Sequence, residues 1–255
     1  MGFMSQISRG PAHSSCSSDE VVVKNFPECD FGGYTRYDGT VEFYTRIASI
    51  LKSTDHVLDF GAGRGCGLED PSAYRRSLRQ LRGRCAHVEG CDVDRAVFQN
   101  PLLDGASLVQ DGALQYPDGS FDLIIADWVF EHIETPESVI PELMRVLKPG
   151  GCIFARTPNK WGYVSFAARF IPGSLLKYIQ PERLDEDVFP KCYEMNSIHQ
   201  LNRLFNDDAT IVVHTMKTEP TYFFGSNLVF RMMKAFHELT PSPFQPFLMV
   251  MVRKK

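Results

Sequence analysis

The stretch from His56 to Cys66, HVLDFGAGRGC, joins an apolar run to a turn that contains Gly61, Gly63 and Gly65. Glycines in such a turn let a ligand approach the backbone, because no side chain stands between them. A dinucleotide site has the spacing G-x-G-x-x-G after a strand, and Cys66 stands where its third glycine would be. The turn therefore favours a nucleotide-like ligand other than a dinucleotide.

Acidic residues follow four successive strand-like runs, at Asp59, Asp92, Asp111 and Asp127. The carboxyl ends of parallel strands meet at one edge of a sheet, and ligands bind there. Carboxylates at that edge would repel a pyrophosphate. They would accept hydrogen bonds from a ribose diol at Asp92 and from an adenine amino group at Asp111, and they would attract an ammonium group. The ligand that fits is S-adenosylmethionine, although each acid taken alone could instead cap a helix.

Strand-like and helix-like segments alternate around these residues in the way that βαβ units require. This alternation predicts an α/β, Rossmann-like, doubly wound sheet. The predicted strands are 56–60, 86–93, 106–112, 121–130 and 152–157, and the predicted helices between them are 41–52, 71–84 and 136–148. Later segments read as a helix over 197–205, strands over 209–216 and 246–255, and a helix over 227–239.

Composition and charge narrow the classes of protein that fit. The net charge of −4 gives no overall positive field for nucleic acid. The arginines between positions 75 and 84 are expected to form a solvated helix face. No apolar run reaches the length of a transmembrane helix. The seven cysteines include no C-x-x-C pair, which indicates reduced thiols, no metal site and a cytoplasmic location.

Four segments in this order resemble the class I S-adenosylmethionine-dependent methyltransferases, in their small-molecule, methyltransferase type 11-like branch. The segments are VLDFGAGRG, VEGCDVD, DGALQYPDGSFDLIIADWVFEHI and ELMRVLKPGGCIFARTPN. The resemblance covers about residues 55–160. It implies a mostly parallel seven-stranded sheet that ends in an antiparallel hairpin, for which 210–217 and 246–253 are the candidates, and a helical, aromatic lid insertion.

The resemblance also assigns cofactor contacts, with S-adenosylhomocysteine as the product. Asp59, Gly61 and Gly63, with Phe60 and Ala62 between them, would lie beside the methionine part. Asp92 would bind the ribose, with Val93 as an apolar neighbour. Asp111, Gly112 and Ala113 would surround the adenine, and Asp127 and Trp128 would line the pocket near the sulfonium.

Methyl transfer from a sulfonium is a direct displacement, so alignment of the acceptor supplies much of the rate. A hydroxyl acceptor can still require a base. Asp127 and His132 are the two candidate catalytic residues, and each could instead have a purely local role. Residues that could bind the acceptor are Tyr34, Tyr37, Arg156, Asn159 and Tyr163.

The expected organisation is a disordered tail over 1–20 and one methyltransferase domain over 21–255. Within it lie a cofactor-binding core at about 41–157, a lid and acceptor segment at about 158–205, and closing strands at about 208–255. The aromatic stretch 161–179 is the expected lid; alternatively it touches a membrane surface, with Arg169 and Lys177 on its polar side. The expected protein is a monomer or homodimer that does not bind nucleic acid.

The function predicted on these grounds is O-methylation of a sugar, lipid-linked or secondary-metabolite hydroxyl. C- or N-methylation of a small molecule is an alternative, and so is a methyltransferase fold that binds the cofactor without turnover. A dehydrogenase is the third class, and Cys66 in place of the dinucleotide glycine argues against it.

Overall fold

The computed structural model describes residues 20–110, 112–163, 165, 192–205, 208–220, 223 and 225–255. The predicted tail up to residue 19, Asp111 and most of the predicted lid 161–179 lie outside the described residues. Glu20, which was assigned to the tail, is instead the first residue of a helix.

A seven-stranded sheet carries the fold, with the order β3-β2-β1-β4-β5-β7-β6. Its strands are β1 (His56–Phe60), β2 (His87–Asp92), β3 (Gly105–Leu108), β4 (Phe121–Asp127), β5 (Leu147–Pro158), β6 (Ala209–Met216) and β7 (Phe247–Lys254). Strands β1 to β5 pair in parallel. Strand β7 pairs antiparallel with both β5 and β6. The predicted sheet, its antiparallel end and the predicted helix between β6 and β7 are confirmed.

Six helices are described. They are α1 (Glu20–Asn25), α2 (Gly39–Ile50), α3 (Ala73–Arg79), α4 (Pro136–Val146), α5 (Ile198–Leu204) and α6 (Asn227–Leu239). Asp38 caps α2 by accepting hydrogen bonds from the backbone of Thr40 and Val41, and Ser226 caps α6 in the same way. Such caps satisfy backbone donors that the first turn of a helix leaves free.

Two apolar cores cover the two faces of the sheet. On one face, α4 and α5 contribute Ile140, Leu143 and Leu201. On the other face, α2 and α3 contribute residues such as Phe43 and Leu78. The strands β1 and β4 are apolar on both faces because both faces are covered, as parallel sheets require.

The arginine-rich segment differs from its prediction. The sequence predicts a helix over 71–84, but α3 covers only Ala73–Arg79 and follows a 3₁₀ turn at Cys66–Glu69. The expectation of a solvated face is wrong for Arg75, because its side chain is 4% exposed and pairs with Asp38 and Asp70. The helix directs this charge inward, because the buried carboxylates of Asp38 and Asp70 lie on that side.

The described cysteines fit the prediction of reduced thiols with one exception. Cys66, Cys85, Cys91, Cys152 and Cys192 are free. Cys29 is disulfide-bonded, so the expectation of reduced cysteines is wrong at that position. No helix in the described part of the chain combines the length and apolar character that crossing a bilayer takes.

Candidate functional site

The glycine turn after β1 is fixed to the end of β2 by backbone hydrogen bonds. The amides of Gly61 and Ala62 donate to the carbonyl of Cys91, at 2.8 and 3.2 Å. Gly61 and Gly63 have left-handed backbone conformations, with φ of 75° and 50°. A side chain at position 61 would strike Val129, whereas one at position 63 would meet no atom within 4 Å. The turn is therefore packed on one side and open on the other.

Asp92 ends β2 beside this open side. Its carboxylate accepts from the amide of Gly63 at 2.9 Å and from that of Asp94 at 2.9 Å, one bond to each oxygen. A carboxylate has about four acceptor positions, so each oxygen keeps one for a ribose hydroxyl. The sequence-predicted ribose contact thus has a geometry that suits it.

Asp59 lies near the end of β1, two residues before Gly61. Burial, together with the charges of Asp127 and Asp92, raises the pKa of Asp59 to about 7. No described residue donates a hydrogen bond to its carboxylate. An ammonium group of a ligand would supply the missing positive charge and favour the ionised form.

The apolar residues that the resemblance places beside the cofactor differ in their exposure. Val93 follows Asp92 with 64% of its surface exposed. Gly112 has φ of 74°, and the next residue, Ala113, donates its amide hydrogen to the carbonyl of Gln110 at 2.9 Å. Phe60, in contrast, is 8% exposed and packs into the core. The adenine prediction for Asp111 lies outside the described residues.

Asp127 ends β4 and faces Arg156, its neighbour in register on β5. The guanidinium binds both carboxylate oxygens, with Nη2 at 3.0 Å from Oδ2, and the Tyr44 hydroxyl donates to Oδ2 at 3.1 Å. Burial by itself would raise the pKa of Asp127. The charge and hydrogen bonds of Arg156 outweigh it, so the pKa lies below the usual carboxyl range.

The pairing of Asp127 bears on two predicted roles. Arg156 is 1% exposed, and its third nitrogen donates to the Thr40 hydroxyl at 3.0 Å. Each of its three guanidinium nitrogens thus donates a hydrogen bond inside the fold, which gives no support to acceptor binding by Arg156. A carboxyl whose pKa is lowered is also a weak proton acceptor, which disfavours Asp127 as a base.

Trp128 has φ of 63°, a left-handed conformation that costs free energy for a bulky residue. Its amide donates to the carbonyl of Arg156 at 3.0 Å. Its ring lies 5.1 Å from the Arg156 guanidinium carbon and meets Phe247 edge-on at 4.7 Å. This backbone turn aims the indole along the sheet edge beside Asp127, where the sequence predicts the sulfonium.

A second ion-pair cluster covers the same edge from α2 and α3. Arg75 donates to Asp38 at 2.9 Å and to Asp70, and Arg79 donates to Asp70 at 3.0 Å. Arg79 also reaches the hydroxyl of Thr40 at 3.4 Å. Thr40 therefore connects this cluster with Arg156.

Neither this cluster nor Tyr44 is among the residues predicted from the sequence. The signal available was helical spacing, because Tyr44 and Ile47 are three residues apart on the face of α2 that also buries Phe43. Nothing in the arginine run distinguishes the inward-facing Arg75 from its neighbours. Asn100 was also missed; it donates to the carbonyls of Ala62 and Gly63 at 3.0 and 3.3 Å and so holds the glycine turn.

The two tyrosines predicted over the cofactor lie in the segment between α1 and α2. Tyr34 stacks on Tyr74 with ring centres 5.3 Å apart. Tyr37 meets the edge of Phe26 at 5.7 Å, in a small apolar cluster. Tyr34 thus packs against the first turn of α3, while Tyr37 is part of local packing.

The predicted acceptor residues after β5 are engaged within the fold. Asn159 is 2% exposed. Its amide donates to the carbonyls of Pro243 and Gln245 at 2.9 and 2.8 Å, and its oxygen accepts from the Trp161 amide. The Tyr163 hydroxyl is hydrogen-bonded to Nε2 of His237, and its ring lines an apolar groove with Trp161, Phe236, Thr240 and Phe244.

His132 lies in the 3₁₀ turn Phe130–His132 that follows β4. Its side chain is 27% exposed, and Nε2 lies 4.0 Å from the Glu131 carboxylate. Glu131 itself is buried and accepts a hydrogen bond from Thr157 at 3.0 Å. His132 therefore retains access to solvent at the edge where β4 and β5 end. In the described ranges, no group of three or more His, Cys, Asp or Glu side chains could hold a metal ion.

Known proteins share this fold and these motifs. Residues 58–155 match the family described as "Methyltransferase domain". The match identifies residues 58–155 as a methyltransferase domain of the class I S-adenosylmethionine-dependent type. The predicted family and cofactor are confirmed by this match, and the residues described above fit that cofactor: the open side of Gly63, the remaining acceptor positions of Asp92 and the unpaired charge of Asp59.

The relatives of this chain are named for different methylation reactions. A ubiquinone biosynthesis O-methyltransferase of Colwellia psychrerythraea is 35% identical over 143 residues, which are 52% of this chain and 54% of the relative. A sarcosine/dimethylglycine N-methyltransferase of Halorhodospira halochloris is 32% identical, over 44% of this chain and 40% of the relative.

Among solved structures, a putative sarcosine dimethylglycine methyltransferase from Galdieria sulphuraria has a TM-score of 0.53 at 16% identity, covering 85% of each chain. That similarity concerns the fold alone. The chain spans half or less of the length of the first relatives it matches, at 43%, 50% and 34%. Its acceptor is therefore a matter for proposal.

Proposed function

We propose that this protein transfers the methyl group of S-adenosylmethionine to a small-molecule acceptor, with a hydroxyl oxygen as the first candidate for the methylated atom. The observation that carries the proposal is the set of open acceptor groups at one sheet edge. Asp59 has no described hydrogen-bond donor, Asp92 has acceptor positions to spare, and a side chain at Gly63 would meet no atom within 4 Å.

When bound, S-adenosylmethionine supplies a methyl group on a positively charged sulfur, which a nucleophile displaces directly. The protein's own residues then bind and orient. Asp92 holds the ribose and Asp59 the ammonium group, each through charge-assisted hydrogen bonds worth about 1.5–3 kcal/mol when buried.

Asp127 has an orienting role in this proposal. Arg156 and Tyr44 hold its carboxylate ionised and fixed at the end of β4. The fixed pair positions the backbone that leads into Trp128, whose ring forms one wall of the proposed site. Orientation of this kind can supply up to about 7–11 kcal/mol of a bimolecular barrier.

His132 is the proposed proton acceptor for a hydroxyl acceptor. Its side chain is 27% exposed and lies after β4, at the sheet edge where the site is proposed. His132→Gln should lower kcat by about 10²–10⁴-fold and leave the Kd for S-adenosylmethionine unchanged. An unchanged kcat would remove His132 from the mechanism and leave acceptor alignment as the source of catalysis.

The experiment that tests the proposed function uses methyl-labelled S-adenosylmethionine with a cell extract. The extract is divided into polar-metabolite, lipid, RNA and protein fractions, and Asp92→Ala serves as the variant without cofactor binding. Label in the polar or lipid fraction, absent with Asp92→Ala, supports the proposal and leads to the acceptor. Label in RNA or protein contradicts it, and cofactor binding without label in any fraction favours the protein without turnover.

The distinction between O-, N- and C-methylation follows from the labelled product. Cleavage of the product by acid or by iodide separates a methyl ether from a methylamine or a C-methyl group. Relatives of this chain are named for O-methylation and for N-methylation, so the experiment is designed to separate these two outcomes.

We retain the cytoplasm as the proposed location, which the five free thiols of the described residues support and the disulfide at Cys29 does not.

A further inference from the structure

Helix α6 has two apolar faces, of which only one is buried. Phe230 and His237 are 0% and 3% exposed and pack inward. On the outer face, Leu228, Met232 and Leu239 are 70%, 65% and 82% exposed. Contiguous exposed apolar residues on a helix indicate a contact surface, whereas scattered ones do not.

The outer residues follow the spacing of a coiled-coil seam. Leu228, Met232, Ala235 and Leu239 lie four, three and four residues apart, and all are exposed. This is the alternation of d and a positions in a heptad repeat, which packs one helix against another. We call these four residues the α6 seam.

The residues that flank the α6 seam differ between its two sides. One flank, at the g positions, carries the exposed and oppositely charged Arg231 and Glu238. The other flank, at the e positions, carries Val229 and Phe236. Because the two charged residues are seven apart on one helix, they lie about two turns from each other and cannot pair within it.

We propose that the α6 seam binds the α6 seam of a second copy of this chain, with the two helices antiparallel about a twofold axis. Leu228 then packs beside Leu239 of the partner subunit, and Met232 packs beside Ala235 of the partner subunit. In this arrangement the g positions of the two helices face each other. Arg231 therefore meets Glu238 of the partner subunit, and the twofold axis makes this ion pair twice.

The charges favour this orientation over the parallel one. A parallel pair in register would place each g position against an e position of the other helix. Arg231 would then face Phe236 of the partner subunit and would have no opposite charge. The antiparallel pair joins apolar flank to apolar flank, since Phe236 lies against Val229 of the partner subunit.

The second copy would also border the apolar groove on this side of the molecule. Phe236 belongs both to the flank of the α6 seam and to the groove, whose volume is about 290 Å³. The seam itself is only about three turns long, so the contact is expected to be weak and dependent on concentration. The pairing does not rest on the proposed function.

Charge exchange across the axis tests the proposal without disturbing the core, because both residues are exposed. We expect sedimentation velocity, over about a 50-fold range of concentration, to show a monomer–dimer equilibrium for the native chain. Arg231→Glu and Glu238→Arg should each weaken the dimer by about tenfold or more, since each places like charges together. An equimolar mixture of the two variants should dimerise again, because every facing pair is then opposite in charge.

Two further variants separate the seam from general effects. Met232→Glu should abolish dimerisation at the centre of the seam, and Arg203→Glu, a charge reversal at an exposed position of α5, should leave it unchanged. Thermal unfolding checks that each variant is folded. A native chain that stays monomeric, or single variants that dimerise like it, or a mixture that does not recover, would each overturn the proposal. So would binding of the monomer to lipid vesicles through the same four residues, since the occupant would then be a membrane.

Discussion

Asp59 and Asp127 both end parallel strands at the same edge of the sheet, yet their surroundings differ. No described residue donates a hydrogen bond to Asp59. Burial, and to a smaller extent the charges of Asp127 and Asp92, raise its pKa to about 7. Asp127 binds Arg156 and Tyr44, and its pKa is lowered. The same residue type at neighbouring strand ends is thus open to a ligand in one case and part of the framework in the other.

An acidic residue in a motif can bind a ligand only where the fold leaves its charge unbalanced. Arg156 balances Asp127 because the parallel register of β4 and β5 places these two residues side by side. The neighbour of Asp59 on β2 is Gly90, which offers no charge. Whether a carboxylate at this edge can bind a ligand therefore depends on the residue beside it on the adjacent strand.

Removing the partner of Asp127 should have the largest effect. Arg156→Met leaves a buried carboxylate without its counter-charge, which is expected to lower the free energy of unfolding by about 3–5 kcal/mol. Urea unfolding followed by circular dichroism measures this loss. The double variant Asp127→Asn/Arg156→Met should recover a large part of it. A single variant as stable as the native protein would show that the ion pair does not stabilise the fold.

Removing the ribose contact should abolish most of the affinity for the cofactor. Asp92→Ala deletes two charge-assisted hydrogen bonds, about 3–6 kcal/mol together, which corresponds to a Kd raised by about 100-fold or more. Isothermal titration with S-adenosylmethionine measures the change. Asp94→Ala, which removes the neighbouring acid that caps the turn after β2, is the control and should bind normally. Unchanged affinity in Asp92→Ala would end the ribose assignment.

The raised pKa of Asp59 predicts a pH-dependent affinity. Below pH 7 the carboxyl is largely protonated in the empty site, so binding of a cationic ligand requires loss of that proton. The affinity for S-adenosylmethionine should therefore rise about tenfold between pH 5.5 and 6.5 and level off above 7. Titrations of Asp59→Asn should show weaker binding and a flat profile over this range. A steep profile that persists in the variant would assign the proton to another group.

The smallest effect is expected at the second partner of Asp127. Tyr44→Phe removes the hydroxyl that donates to Asp127 at 3.1 Å and keeps the ring in place. Since Arg156 still balances the charge, the free energy of unfolding should fall by only about 0.5–1.5 kcal/mol. The same urea experiment measures it. A loss as large as that of Arg156→Met would mean that the hydroxyl, rather than the ion pair, holds this corner together.

Much of the fold could be predicted because its signals are local. The bounds of β6 and α6 follow from alternation and helical spacing and agree with the structure at both ends. The glycine turn could be located because left-handed backbone favours glycine there, and Asp92 could be located because it follows a strand-like run. These features depend on residues close together in the chain.

The rest of the site depends on contacts between distant residues. Arg75 lies on a helix that reads as charged and exposed, and only the fold brings Asp38 against it. Arg156 was predicted to bind an acceptor because it follows a strand. Its partner Asp127 is adjacent only through sheet register, and no local pattern carries that information.

The position of β7 has a consequence for how the chain folds. Among the described strands it comes last along the sequence, yet it lies inside the sheet, between β5 and β6. While the chain is being synthesised, β5 and β6 have no contact with each other, and one long stretch of backbone donors and acceptors on each remains unpaired. The sheet closes only when residues 247–254 emerge from the ribosome and enter that gap. Until then the nascent protein exposes two strand edges with unpaired backbone groups, and its need for chaperones should be greatest in that interval.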